Sequence, residues 1–520
     1  MGTKREQTDR FLRKGGFYAI FLVFLAAAFT RVEAAVIEAG PLFHEFNLTL
    51  EAGDRREVMG PFYYEEQVDG RTTIAVPPLF SWVDDPKLAY REFDVLYPVL
   101  TYDRFGGESR AQFFQLLSLS DAGEQDRSER RKFTIFPFYF QQRSTNEAQN
   151  YTAVVPFYGT LRNRLFKDEI EFVLFPFYAK TRRKDVITRN YLYPFFHLRE
   201  GNELSGWQLW PLVGDEVRGA HTVTNGFGDP IAVPGERISF AAWPFLLRRH
   251  GGIGGTNEVH ETSVLPLFSM TRSPARDSTS IGWPFFRYTD NREKRFQEWG
   301  FPWPLWGIAR GDGKHMNRAW PFFSVAYNEN IRSEWYLWPF WKRNIADVEG
   351  LYRSRTRVLF FLYNDLIERN PVTRDEMHRR DLWPLFVYRK QRDGRERLQA
   401  PAVLEPLLPN NKSIERNWSP LWSVWRTEKN PETGRRSDSL LWNFWRREVS
   451  DGVRANSWFF GLLQNRKTAD GTTWSWFHPL RSSRHEEQEK DKLPDDRAPE
   501  PEIGVIPLRS VPFGPSSTAQ

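Results

Sequence analysis

The chain has 520 residues, 16% aromatic and 27% charged, with no cysteine. That aromatic content excludes a disordered or linker-like chain. The missing cysteines exclude disulfide frameworks, thiolate metal centres, iron–sulfur clusters and thiol catalysis, and the charge content excludes a polytopic helical membrane protein.

The first segment reads as an address. Lys4, Arg5, Arg10, Arg13 and Lys14 precede thirteen apolar residues, 17–29, and Val32-Glu33-Ala34 offers a small-x-small site. A basic start, a short apolar run and a small-residue site predict a signal peptide over 1–34, cut after Ala34. An apolar run of this length is short for a spanning helix. The segment carries six basic and three acidic residues, so its removal lowers the formal charge from +6 to +3. The remaining balance predicts no nucleic-acid partner.

From residue 35 to 480 one motif recurs: a large apolar residue, Pro, then Phe, Leu or Val. It runs through Tyr97-Pro98-Val99, Phe136-Pro137-Phe138, Val155-Pro156-Phe157, Phe175-Pro176-Phe177, Tyr193-Pro194-Phe195 and Trp210-Pro211-Leu212. It continues through Trp243-Pro244-Phe245, Leu265-Pro266-Leu267, Trp283-Pro284-Phe285, Trp303-Pro304-Leu305, Trp320-Pro321-Phe322, Trp338-Pro339-Phe340 and Trp383-Pro384-Leu385. Weaker copies sit at Gly40-Pro41-Leu42, Gly60-Pro61-Phe62, Pro77-Pro78-Leu79, Glu405-Pro406-Leu407 and Ser419-Pro420-Leu421. Copies without Pro fill gaps at Phe113-Phe114, Leu359-Phe360-Phe361, Leu441 to Phe444 and Trp458-Phe459-Phe460.

Pro137, Pro156, Pro176, Pro194 and Pro211 follow one another at intervals of 19, 20, 18 and 17 residues. Helix-pair repeats need about 33 residues or more, and Pro inside each apolar run excludes helix there. Asn202, Gly311-Asp312-Gly313, Asp393-Gly394, Pro431 to Gly434 and Asp470-Gly471 supply turn chemistry between motifs. The expected fold is all-β: an antiparallel meander of roughly 20 long strands, one per ~19-residue repeat, closed as a large barrel. The alternatives are a parallel β-solenoid and a layered open sheet. Pro within a strand predicts a recurrent bulge. Read as continuous strands, Glu171–Lys180 and Trp335–Lys342 are apolar on both faces for about six residues. Such strands would be buried on two sides or cross an oily layer.

Residues 481–520 are charged, then Pro-rich, and read as a flexible tail. The chemistry-bearing residues are sparse. His44, His197, His221, His250, His260, His315, His378, His478 and His485 show no helix-face metal spacing. No nucleophile elbow or phosphate loop stands out, including at Gly251 to Gly255. Asp84-Asp85, Glu65-Glu66 and Asp168-Glu169 are the acid pairs a glycosidase would draw on, and solvated turns account for them as well. No catalytic, cofactor or metal residue is assigned.

The WPFF/WPLF/FPFY series, with polar Asp-Gly turns between copies, resembles uncharacterised exported bacterial proteins built from the same repeats. The likeness spans residues 40–480 and brings no activity and no site residue with it. The expected function is that of a non-enzymatic cell-envelope protein, barrel-like and in contact with outer-membrane lipid. The alternatives are a soluble periplasmic or secreted scaffold for envelope protein or polysaccharide, and a carbohydrate-active enzyme.

Overall fold

A computed structural model of the chain describes residues 40–122, 130–450 and 452–476, all within one compact unit, Ile37–His478. The expected signal peptide and tail lie outside the described residues. The protein is all-β, and 42 strands form one antiparallel meander in which each strand pairs with its neighbours in sequence. A separate two-stranded hairpin, His221–Thr224 with Pro230–Val233, projects from a long connection.

The expectation of one long strand per repeat is corrected, and so is the strand number. Each repeat is a hairpin of two short strands, mostly of five or six residues, or roughly 20 Å at ~3.3 Å per residue. The sheet is therefore a long, narrow ribbon. The antiparallel ladders also set aside the parallel solenoid.

The proline blocks are turns and not strand centres. The strand Lys167–Val173 ends before Leu174 to Phe177, and the next strand starts at Tyr178. Likewise Ile331–Tyr336 and Trp341–Val348 flank Leu337 to Phe340. In that turn the Phe340 N–H donates to the Leu337 carbonyl at 2.7 Å. The Trp338–Pro339 bond is cis, as at the third position of a type VI turn. Proline has no N–H, so it fits where the chain reverses and no ladder donor is required. The two-sided apolar band inferred for Glu171–Lys180 and Trp335–Lys342 came from reading through these turns.

Copies without Pro reach the same reversal by another route. Leu359 and Phe360 take φ of 44° and 60°, and Phe459 and Phe460 both take 57°. Left-handed pairs of this kind make tight hairpin turns. Two weak copies are corrected outright. Ser419–Trp422 is a short helix, α2, with Pro420 near its start, and it follows α1, Lys412–Asn417. Glu405 lies in the connection ahead of them, between the strand Glu396–Ala400 and α1.

The polar turns fall where the sequence placed them. Asn202 and Glu203 join Phe196–Gly201 to Leu204–Leu209, and Asp470 closes the hairpin Leu463–Thr468 with Gly471–Trp476. Motif turns and polar turns alternate along the meander. Since successive strands run in opposite directions, alternate turns lie on opposite edges of the ribbon.

The two faces differ as well. Next to the motif turns, Ala153, Gly159, Phe172, Ala179 and Asn190 pair in succession across five strands. Apart from Phe172 this row is small or polar, and it is largely buried. With Phe140, Tyr151 and Leu161, its apolar members form the one continuous core cluster among the described residues. On the opposite face, Tyr158, Val173, Tyr191, Leu209 and Val213 form an exposed apolar row.

Candidate functional site

Two features stand out: the edge that carries the motif turns, and the region where the first and last parts of the ribbon meet.

The motif edge is built by register. The ladder runs beyond the strand ends into the turns, so that Leu337 N–H donates to Phe322 O at 2.6 Å. Residues before Pro do the same for their neighbours: Phe175 N to Pro156 O, Tyr193 N to Pro176 O and Trp243 N to Pro211 O, each at 2.7 Å. The rings of these residues follow one another along the edge. Trp210 and Trp243 have centroids 5.9 Å apart, Phe175 and Tyr193 5.7 Å, and Phe361 and Trp383 5.6 Å. Tilted and edge-on pairs at such distances are attractive. The Phe residues after Pro are largely exposed. Phe138, Phe157, Phe177, Phe245, Phe285, Phe322 and Phe340 are 53–63% exposed. An aromatic rim this long far exceeds the scattered exposed apolar residues of an ordinary surface. The motif Trp and Tyr rings are edge residues and not core.

The opposite edge is mainly polar, with local exceptions. Leu165 and Phe166 form a left-handed turn there, and Phe166 is 95% exposed.

The second feature joins residues more than 300 positions apart. Asn411 Oδ1 accepts from Ile414 N–H and starts α1. This helix sets Arg416 against Glu92 and 3.1 Å from Asp94 Oδ2, while Asn417 Nδ2 donates to Asp94 Oδ2 at 2.9 Å. Tyr64 OH donates to the Arg416 carbonyl at 3.1 Å. Thr49 and Ser437 hydroxyls bond at 2.7 Å, and Asn443 Nδ2 donates to Glu57 Oε2 at 2.7 Å. Arg446 lies over the Phe46 ring at 3.9 Å and reaches the Asn47 carbonyl. Among the described residues no ladder pairs the first strand, His44–Asn47, with the last; side chains make the join.

This clasp surrounds a cavity of about 550 Å³. Its wall holds Arg55, Arg71, Arg389, Arg397, Arg416, Arg426, Arg446 and Lys412. Facing them are Glu51, Glu57, Glu66, Asp85, Glu92, Glu405, Glu415 and Glu428, so the formal charges balance. Arg55 donates to Glu57 at 2.8 Å and to Glu66 at 3.3 Å, with its guanidinium over Tyr64. Glu428 takes Arg426 Nε at 2.7 Å and Arg397 Nε at 3.0 Å. Burial pushes the Glu428 carboxyl up, but Arg426, Arg397 and Arg446 outweigh it and hold it at about 2. Burial also pushes Glu92 and Asp94 up. Arg416 more than offsets this at Glu92, whereas Asp94 stays raised. Burial pushes the Tyr64 hydroxyl up to about 12. Each charge here is matched by an opposite one, and removing either partner of a buried pair leaves the other uncompensated.

The acid pairs singled out in the sequence do not converge. Asp84 pairs with Arg91 at 2.7 Å, and Asp85 caps a short turn through Lys87 N–H and Leu88 N–H. Glu65 accepts from Gln67, while Glu66 turns to Arg55. Glu169 takes Arg162 and Arg182, and Asp168 bonds the Lys184 N–H. Adjacent strand residues face opposite ways, so such pairs cannot share one cleft.

Of the histidines, His44 is buried, His378 meets Asp365 at 2.7 Å and His315 stacks on Tyr327. His478 and His485 lie outside the described residues. His250 and His260 are brought face to face across one hairpin, with Glu258 beside them. Helix-face spacing does not reveal this group; the pairing of the two strands that flank the turn at residues 254–258 does.

Compared with models of known protein families the chain matches none, and no curated protein matches it.

Proposed function

We propose that the chain is an exported cell-envelope protein whose ribbon closes on itself as a barrel-like ring and rests its aromatic edge in lipid. The alternation of turns carries this reading: every proline-aromatic turn falls on one edge, with its rings half exposed. Aromatic side chains collect at the boundary between lipid and water, where an apolar body and a polar tip are both served. The exposed row Tyr158, Val173, Tyr191, Leu209 and Val213 widens the apolar belt on one face before charged residues take over.

Strand length sets the depth. A spanning β-strand needs about 9–11 residues. The strands here have four to eight, so the lipid contact is assigned to one edge and not to the strand as a whole. The clasp between the ends of the ribbon supports closure, since it ties Thr49 to Ser437 and Asp94 to Arg416.

Flotation tests the reading. Protein comprising residues 35–520 is mixed with vesicles of phosphatidylethanolamine and phosphatidylglycerol and spun through a density gradient. It is expected to float, and brominated acyl chains should quench its tryptophan fluorescence. Protein that stays at the bottom with unquenched tryptophans would overturn the lipid assignment and leave the soluble scaffold for protein or polysaccharide.

A further inference from the structure

We infer that His250, Glu258 and His260 form a binding site for a divalent transition-metal ion, with zinc the natural candidate. The reading is independent of the lipid proposal, because the group lies at the polar-edge end of its hairpin, away from the motif turns.

The hairpin pairs Leu246–Ile253 with Val259–Val264, and His250 and His260 are direct partners across it. Their rings stack with centroids 4.1 Å apart and an interplanar angle of 24°. Glu258 Oε2 lies 3.2 Å from His250 Nε2 and 3.9 Å from His260 Nε2. One ligand atom from each residue falls within 4.8 Å of the other two. Around zinc, with bonds of ~2.1 Å, tetrahedral ligand atoms stand ~3.4 Å apart. The Glu258–His250 separation is already suitable, and the longer separations, both to His260, close by rotation of that exposed side chain.

The loop orients the carboxylate. Glu258 Oε1 accepts the Gly254 N–H at 3.1 Å, leaving Oε2 for the ion. Gly252, at φ +72°, permits the turn, and a Cβ there would meet the Asn257 carbonyl at 2.6 Å. Asn257 Oδ1 in turn accepts the Ala275 N–H at 3.2 Å, tying this loop to the next turn. Outer contacts of this kind fix ligand direction in metal sites.

The neighbouring cations are occupied elsewhere. Arg237, across from His250, is held by Asp215 at 3.2 Å, and Arg272, across from His260, by the Thr271 and Ser278 carbonyls. Two imidazoles and one carboxylate suit zinc, nickel or copper(II) far better than calcium or magnesium, and three protein ligands leave a fourth position open.

The test is zinc titration of untagged, chelator-treated full-length protein against a chromophoric competitor, with calcium as the comparison. One zinc per chain is expected, with no saturable calcium binding. His260→Ala and Glu258→Gln should each weaken binding by about tenfold or more, and His221→Ala should leave it unchanged. Copper(II) should give an electron paramagnetic resonance spectrum with nitrogen couplings that fall in number in His260→Ala. His260 is exposed and Glu258 only half-buried, so circular dichroism should match wild type in each variant. Absence of stoichiometric zinc binding, or binding untouched by both His260→Ala and Glu258→Gln, would overturn the site.

Discussion

The Trp338 N–H donates to the Pro321 carbonyl at 2.8 Å, joining one motif turn to the turn before it. This bond explains why the aromatic edge is continuous. The ladder does not stop at the strand ends, and it brings the Trp320 and Trp338 rings to 6.4 Å. Hydrogen bonding of the backbone thus sets the spacing of the rings that the lipid reading depends on.

The position of an aromatic residue, and not its exposure alone, should decide lipid contact. Phe340 and Phe166 are both exposed, but they lie on opposite edges. Phe340→Asp should weaken vesicle binding by about tenfold, given ~1.5–3 kcal/mol for burying such a side chain. Phe166→Asp should leave binding unchanged. Equal loss in both, measured by flotation at graded lipid concentration, would count against a single lipid-facing edge.

Loss of Arg416 should open the clasp. Its removal leaves the buried Asp94 and the half-buried Glu92 without their cation, a change that costs about 3–5 kcal/mol. Urea unfolding of Arg416→Ala should show a clearly lower midpoint. A variant as stable as wild type would mean that the clasp carries little of the stability.

Acid should loosen the same region in two steps. Burial lowers the His44 imidazole from 6.5 to about 4. The unfolded chain therefore takes up this proton first, and stability falls as pH drops from about 6.5 to 4. Glu428 is lowered from 4.5 to about 2, so its contribution is complete above pH 4.5 and is lost as pH falls through 2. Each step is on the order of 3 kcal/mol. Replacing His44 by Phe should flatten the slope of stability between pH 6.5 and 4, followed by denaturant titration at several pH values.

Gly159 has no room for a side chain. Its φ is +151°, and a Cβ would lie 2.2 Å from Ala153 Cα. Gly159→Ala should cost about 1–3 kcal/mol through overpacking and lower the thermal midpoint. An unchanged midpoint would mean that the paired strands part without penalty at this point.

Much of this architecture is legible in the sequence. The repeat period, the β class and the polar turns follow from local facts: proline cannot sit in a helix, and Asn, Asp and Gly reverse a chain. The place of the proline blocks was not legible, because a missing N–H is tolerated equally at a bulge and at a turn. Only the pairing of Val173 with Tyr158 and Tyr178 shows that the chain folds back at Leu174 to Phe177.

The sequence by itself determined that proline-aromatic blocks recur at a regular interval in a β chain and that polar turns separate them. Tertiary structure alone decided that the aromatics share one edge, that Arg416 meets Asp94 from the far end of the chain, and that His250 faces His260. The physical reason is range. Turn chemistry is written into a few adjacent residues, whereas these juxtapositions depend on the register of strands and on contacts between residues hundreds of positions apart.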